Sequence, residues 1–297
     1  MCASRFSTSA IFSTCFDNVL KLVLSRLPLN YAFWSRLGLF KHGDSNKIGY
    51  ISGVLRKHIS FSESLEGKEV LELGPGDGIL SAILAFAMGA KSTTLLDVNS
   101  YAEKNIKKYL EEIKRLEEEF PVLKIINEKG PNDMEDLLKL INAKYLTEGL
   151  NSLKSIESNQ FDFIFSQAVL EHIRKKEFKE TILEINRVLK PSGVMSHLVD
   201  FKDHLGGSFN NLRFSNNFWE KDWFAYQSGF YTNRIQLSEL RNILEEVGFD
   251  NEVKEIKKRD MMPNSEILHQ EFSKLDKSDL EVGSAHIISR RKNINKI

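Results

Sequence analysis

The chain is short of thiols, of net charge and of long apolar runs, and each shortage narrows what it can be. Two cysteines, Cys2 and Cys15, stand among 297 residues. They cannot build a disulfide framework or a zinc site, so a reducing compartment, read as cytoplasmic, is expected. Lysine plus arginine number 41, and aspartate plus glutamate also 41. With no net field to attract a polyanion, no nucleic-acid partner is expected. No uncharged apolar stretch approaches the roughly 18 residues a membrane-spanning helix needs, so none is predicted. The length suggests about two domains and ample chain for a core.

What the chain has is concentrated in Val70–Ser81, VLELGPGDGILS. An apolar run ends in an acid, three glycines follow at every second position, and a helical segment begins. Glu72, Gly74, Gly76 and Gly78 are expected where a parallel strand turns into a helix, predicted over Asp77–Met88 and closed by Gly89. Glycine lets backbone approach a ligand closely, and the helix start aims free N–H groups at it. The dinucleotide fingerprint G-x-G-x-x-G would put its last glycine at Ile79. The spacing present, E-x-G-x-G-x-G, resembles instead the first motif of class I S-adenosylmethionine (SAM) methyltransferases.

A short β-rich run, Thr93–Leu96, ends at Asp97, which follows Gly78 by 97 − 78 = 19 residues. At the end of a second strand an acid can take both hydroxyls of a ribose. The alternative is that Asp97-Val98-Asn99-Ser100 caps a helix beginning near Tyr101. Phe161–Ile173, FDFIFSQAVLEHI, reads as a buried strand whose carboxyl end is Ser166-Gln167, followed by Glu171-His172. In Arg187–Asp200, RVLKPSGVMSHLVD, Pro191-Ser192-Gly193 stops a helix and Val194–Val199 forms the next strand. Both segments resemble the fourth and fifth strand regions of small-molecule SAM methyltransferases, and the four motifs occur in that family's order over roughly residues 65–290.

The resemblance implies a seven-stranded, mostly parallel, doubly wound α/β sheet with its last strand antiparallel and inserted between neighbours. It implies SAM as cofactor, held by Glu72, Gly74, Gly76, Gly78, Asp97 and Val98. Thr147 and Glu148 would lie near the adenine, and Ser166 and Gln167 at the end of the fourth strand. The ligand site is expected at the carboxyl ends of the central strands, at the topological switch point.

Flanking segments are read from pattern. Phe12, Phe16, Val19, Leu20, Val23 and Leu27 recur at helical spacing before Pro28. They suit a cap helix or, with Lys21 and Arg26 beside the apolar face, a peripheral membrane contact through residues 9–27. Residues 1–65 are assigned to an N-terminal helical cap, and 66–297 to the SAM-binding domain. Within the cap, Trp34 and His42 are candidates for the substrate pocket or, equally, for filling a small core. Tyr101–Phe120 is an amphipathic helix by its spacing of Ile106, Leu110, Ile113 and Leu116. The third strand fits Ala143–Thr147 better than Val122–Asn127, which makes residues 121–142 an insertion carrying a helix over Asp133–Ile141. Gln236–Val247 is a further helix ending at Gly248, and Glu252–Ile256 and Ala285–Ser289 are the last strands.

Transfer of a sulfonium methyl to a hydroxyl needs a proton acceptor. His172 follows the fourth strand, and His204 follows the fifth between Asp200 and Asp203, which are expected to orient it or raise its pKa. The run after it, dense in Asn, Arg and aromatics, suits a polar substrate lid over about 201–235, with Asn210, Asn211 and Arg213 as substrate-binding candidates. Two aspartates are too few to claim a metal. The expected activity is methyl transfer to a small polar acceptor, a hydroxyl of a metabolite, sugar or lipid-linked intermediate. The alternatives are a non-catalytic SAM-binding module or a nicotinamide oxidoreductase. DNA amino-methyltransferases carry a proline-proline string where this chain has Ser166-Gln167-Ala168-Val169, and cytosine-5 enzymes need a cysteine there.

Overall fold

The computed structural model describes residues 47–61, 64–204, 209–227, 230–259 and 268–292. The candidate cap helix, Trp34 and His42 lie outside the described residues. The strands are β1 (Glu69–Leu73), β2 (Ser92–Leu96), β3 (Ala143–Leu146), β4 (Phe161–Gln167), β5 (Leu189–Asp200), β6 (Phe249–Lys258) and β7 (Val282–Arg291). They form one seven-stranded sheet in the order β3-β2-β1-β4-β5-β7-β6. The first five pair parallel, and β7 runs antiparallel between β5 and β6. The expected fold is the one that forms, including the inserted antiparallel strand.

Period-two alternation sorts the side chains of the central strands into two cores. Val70, Leu95, Phe163 and Phe165 share one with α1 (Ile48–Ile59), α2 (Leu80–Ala87) and α3 (Ile106–Leu116). The segment expected as an insertion joins this same core. Its α4 (Lys124–Lys129) and α5 (Met134–Leu140) deliver Ile126, Leu137 and Leu138, so it is part of the layer rather than an appendage. Leu71, Leu73, Ile164, Met195 and Ile287 face the other way. They meet α6 (Leu150–Ser155), α7 (Lys175–Val188) and α10 (Leu237–Glu246), the short α8 (Asn216–Trp219) and α9 (Asp222–Gln227) lying between the last two in sequence. Among the described residues no helix is long and apolar enough to cross a membrane.

β6 and β7 each run longer than the expected Glu252–Ile256 and Ala285–Ser289, and three other elements start elsewhere than expected for local reasons. The helix after the glycine loop begins at Leu80, because Asp77 and Gly78 stay in the turn. The next begins at Ile106 rather than near Tyr101. Asn105 caps it by accepting from Lys107 N. The residues before Asn105 are held extended, with the hydroxyl of Tyr145 accepting from Tyr101 N and the Asp77 carbonyl from Glu103 N. That helix ends at Leu116, short of the expected Phe120. Strand β5 starts early, at Leu189. Its ladder with β4 jumps from Phe161–Leu189 to Phe163–Val194, a bulge that absorbs Pro191-Ser192-Gly193.

Register sets the carboxyl ends side by side. Leu73 lies opposite Leu96 on one flank and Ser166 on the other, and Gln167 opposite Leu198. Strand order reverses between β1 and β4, so a crevice opens there.

Candidate functional site

The glycine loop leaves β1 through two left-handed residues, Gly74 at φ 65° and Gly76 at φ 69°. A Cβ on Gly74 would stand 2.5 Å from Val169 Cγ2, so the loop and the turn after β4 are pressed together at a point only glycine allows. Gly74 N donates to Leu96 O at 2.8 Å, tying the loop to β2. Gly78 is buried in the turn before Ile79, and no side chain caps α2, whose first N–H groups therefore look for a partner at the loop.

Asp97 sits at the end of β2, 8% exposed. Its Oδ2 accepts from Gly76 N at 3.2 Å and its Oδ1 from Val98 N at 2.7 Å. Two backbone donors fix the plane of the carboxylate at the mouth of the loop. The capping alternative fails, since the following helix starts at Ile106 under Asn105. Beside it, Val98 is an apolar side chain 71% exposed. Gly149 packs against it, and Gly149 N donates to Asp97 O at 2.8 Å. Thr147 is half-buried after β3 and Glu148 is exposed, its N–H held by Ser152 Oγ at 3.1 Å. An acid, an exposed apolar residue and a loop of backbone amides thus converge on one mouth, and they fit a ligand with a hydroxylated ring and a flat apolar base.

Glu72 lies beneath this mouth. It accepts a hydrogen bond from Ser81 Oγ. Burial pushes its carboxyl up to about 8, with the nearby Asp97 charge adding to the rise. At neutral pH it is largely protonated, and it supports the loop from inside.

At the end of β4 the two expected residues part company. Ser166 is fully buried, and its hydroxyl is 2.6 Å from His197 Nδ1 on the far face of the sheet, so its side chain does not reach the crevice. Gln167 points to the opposite face, half-buried. Ala168 follows at φ 54°, a conformation an L-residue adopts reluctantly and that turns the chain sharply toward Val169.

The two candidate bases meet. His172 and His204 have ring centroids 4.9 Å apart. Nδ1 of His172 donates to Tyr231 O at 3.1 Å, which places the ring's lone pair on Nε2. Asp203 is buried and accepts from Asn210 N at 2.7 Å, while Asp200 accepts from Lys202 N at 2.9 Å. The expectation that these aspartates raise the pKa of His204 is corrected in its outcome. They do pull that way, but burial of the ring outweighs them and holds it below the ordinary imidazole value.

The segment over 209–235, expected as part of a polar lid, is packed around aromatic side chains rather than polar ones. Trp219, Phe224, Phe230 and Tyr231 make a small aromatic core of their own. Asn211 is turned inward, its Nδ2 donating to Thr232 Oγ1 at 3.1 Å, and is 4% exposed. Arg213 stays exposed, 3.4 Å from Asn210 Oδ1. Arg234 is buried at the centre, donating to Phe214 O at 2.7 Å and Asn216 Oδ1 at 2.6 Å with its guanidinium 5.1 Å from the Trp219 ring. Spacing could not reveal this, because the partners come from three separate turns.

Glu171 is the group that sequence reasoning passed over, though it stands in the quoted LEH string. It is 4% exposed, its Oε1 accepts from Asp200 N at 3.3 Å, and its buried Oε2 has no partner among the described residues. Burial, then the Asp200 charge, push its carboxyl up to about 8.

Residues 49–253 match the family model described as a methyltransferase domain, more than half of the chain. No curated protein matches. Among solved structures, a SAM dependent methyltransferase from Archaeoglobus fulgidus is 15% identical, covering 82% of this chain and 95% of that one at a TM-score of 0.47. The Haloferax volcanii methyltransferase solved with the Trm112 activator is 16% identical, covering 84% and 96% at 0.43. Phosphoethanolamine N-methyltransferase 2 of Haemonchus contortus, solved with S-adenosyl-L-methionine, is 15% identical, covering 81% and 53% at 0.46.

Proposed function

The chain belongs to this methyltransferase-domain family, and we propose that it is of the class I SAM-dependent kind and transfers a methyl group from SAM to a small polar acceptor through a hydroxyl. The observation that carries the reading is Asp97. It closes β2, caps no helix, and is held by the Gly76 and Val98 amides where a ribose diol would arrive.

SAM, when bound, supplies a sulfonium methyl group already activated toward a nucleophile. The chain's own residues then have three tasks. Gly74 and Gly76 let the backbone approach the amino-acid end, and Asp97 takes the ribose hydroxyls. Val98, Thr147 and Glu148 border the adenine. The turn after β4 and the segment after β5 exclude water and align the acceptor. Transfer of that methyl to an oxygen acceptor would leave the bonding pair on sulfur and would require the hydroxyl to give up its proton. An imidazole receives it: His204, held largely neutral by its surroundings, or His172, whose lone pair is on Nε2. Glu171, mostly protonated, is the less ready acceptor of the group.

The acceptor class is a metabolite, a sugar or a lipid-linked intermediate in a cytoplasmic setting. A lipid-linked acceptor agrees with the apolar spacing of residues 9–27. Calorimetric titration with SAM, S-adenosylhomocysteine and NAD tests the cofactor. Binding of the first two at micromolar concentration without NAD is expected, and NAD binding alone would return the chain to the oxidoreductase alternative. A labelled-SAM screen against cell extract tests turnover, with an alkali-stable ether product expected. Binding without any methyl transfer would leave a SAM-binding module.

A further inference from the structure

Three histidines are buried where the steps above do not use them. His58 of α1, His197 of β5 and His286 of β7 are each at most 1% exposed. Burial takes their pKa values down to about 3, 3 and 4, so each imidazole is neutral. A neutral ring in a core still needs its N–H satisfied. For two of them the donors and acceptors can be followed atom by atom.

Ser196 Oγ lies 2.7 Å from His58 Nδ1 and 2.7 Å from His286 Nε2. On the far side of the ring, His58 Nε2 is 3.2 Å from Gln167 Oε1. His286 Nδ1 is buried with no partner among the described residues, so that ring carries its proton on Nε2. Through Ser196 the His58 Nδ1 must then accept, while its Nε2–H faces the Gln167 oxygen. The Ser196 hydroxyl, with one proton to give, donates to that Nδ1 and accepts from His286 Nε2–H. The sequence of donors is therefore fixed from β7 through β5 and α1 to the last residue of β4. Phe165 and Phe61 hem the rings in, with centroids 5.3 Å from His58 and 4.7 Å from His286.

The end of this chain is the informative part. A glutamine amide can ordinarily present either its oxygen or its nitrogen. Here the oxygen is taken, and the Gln167 –NH2 makes no hydrogen bond among the described residues. Gln167 is half-buried, at the carboxyl edge of β4 beside the glycine loop of β1. We propose that His58 is a positioning residue: by holding the Gln167 oxygen it makes β4 present a hydrogen-bond donor to the carboxylate of the bound cofactor. This rests on SAM being the ligand. It also gives α1 a task, since docking of that helix sets the polarity of one side chain in the crevice.

The test is a set of titrations with S-adenosylhomocysteine and with 5′-methylthioadenosine, which lacks the amino-acid tail. Gln167→Ala keeps the bonds from His286 through Ser196 to His58 but leaves the His58 Nε2–H without its acceptor. Melting temperature is therefore followed beside affinity, and methylthioadenosine binding reports that the site stays formed. Affinity for S-adenosylhomocysteine should fall about tenfold, as expected for a hydrogen bond to a charged group, while methylthioadenosine affinity holds. His58→Asn retains a polar group at the Nδ1 position toward Ser196 but loses the donor toward Gln167, and should show the same selective loss. His58→Gln places an amide N–H near the Nε2 position and should rescue. In the Gln167→Ala background His58→Asn should cause no further loss. Unchanged affinity in Gln167→Ala, equal loss for both ligands, or additive losses in the double variant would each overturn the proposal. Failure of the wild-type protein to bind S-adenosylhomocysteine would instead overturn the cofactor reading beneath it.

Discussion

The crevice has two sides built on different principles. The β1–β2 side is made of backbone: two left-handed glycines, amides held by Asp97, and a helix start, all close together in sequence. The side beyond β4 and β5 is made of long side chains meeting from distant turns. Arg174 donates to Asp222 Oδ1 at 2.5 Å and to Glu220 O at 2.7 Å, and its guanidinium lies over the Tyr226 ring. Tyr231 donates its hydroxyl to Glu220 and accepts from Lys175 N. Trp219 Nε1 donates to Thr232 O at 2.7 Å. A backbone-built site tolerates sequence change everywhere except at its glycines and its acid. A side-chain-built site can be re-cut for another acceptor by changing any of several partners.

The largest effect should separate the sides kinetically. His204→Gln is expected to lower kcat by about 10²–10⁴, the usual range for general-base assistance, with SAM affinity within a few-fold. Because its pKa lies below the usual 6.5, activity in the wild type should rise with pH through a limb below pH 6.5 and be flat above it. Loss of that limb in His172→Gln rather than His204→Gln moves the role to His172. A profile unmoved by either variant would mean alignment alone, or an acceptor that needs no base.

On the backbone-built side, Asp97→Ala should weaken SAM by roughly tenfold to several hundredfold, at about 1.5–3 kcal/mol for each charged hydrogen bond lost. The fold should survive, since the amides it holds, those of Gly76 and Val98, lie at the mouth of the crevice. A drop in melting temperature with affinity intact would mean that the carboxylate serves the fold of the glycine loop rather than the ligand.

Glu171 should give the next effect, in stability. Its folded pKa, about 8, is raised above the ordinary carboxyl value, so the folded state holds the proton more tightly than the unfolded. Stability from this group is present at low pH and lost as pH rises between those two values. Glu72 acts in the same direction. Glu171→Gln mimics the protonated acid. It should match the wild type in thermal melts near pH 5 and exceed it near pH 8, each tenfold difference in proton affinity between the two states corresponding to about 1.4 kcal/mol. Equal curves at both pH values would show that the carboxyl is ionised and solvated.

Arg234→Met then tests the side-chain-built half. It removes the donor from the buried Asn211 carbonyl, at about 1–3 kcal/mol for a buried group, and from the part-buried Phe214 carbonyl and Asn216 amide oxygen at less. A loss of melting temperature is expected with S-adenosylhomocysteine affinity nearly unchanged. Lost affinity would join the two halves energetically.

The same division explains what could be read from sequence. β1, β2, β4 and the glycine loop are local strand–turn–helix signals, and spacing alone chose Ala143–Thr147, where β3 forms over Ala143–Leu146. Residues whose orientation depends on partners far away were not legible. The parity of β4 puts Ser166 against His197 rather than in the crevice, and a one-residue shift would have exchanged it with Gln167. Asn211 looks like a ligand residue until Thr232, 21 positions on, takes its amide. His58 and Ser196 are separated by 138 positions, and neither marks the other in the sequence.

Asn105→Ala is the smallest change and the counterpart that makes the Asp97 result readable. Its side chain accepts from Lys107 N at 3.2 Å at the head of α3, an 11-residue helix that carries Tyr109, Ile113 and Leu116 into the core. Removing a cap of this kind typically costs about 1 kcal/mol. The carbonyl of Asp77 would still hold Glu103 N, so the segment from Tyr101 keeps its path and the crevice keeps its shape. Stability should therefore fall by about that amount in urea melts, with SAM affinity unchanged. The two variants then form a crossed pair on one stretch of chain: Asp97 moves affinity and spares stability, Asn105 moves stability and spares affinity. If Asn105→Ala weakens SAM as much as Asp97→Ala, the crevice depends on where α3 starts, and the loss in Asp97→Ala no longer reports a ribose contact.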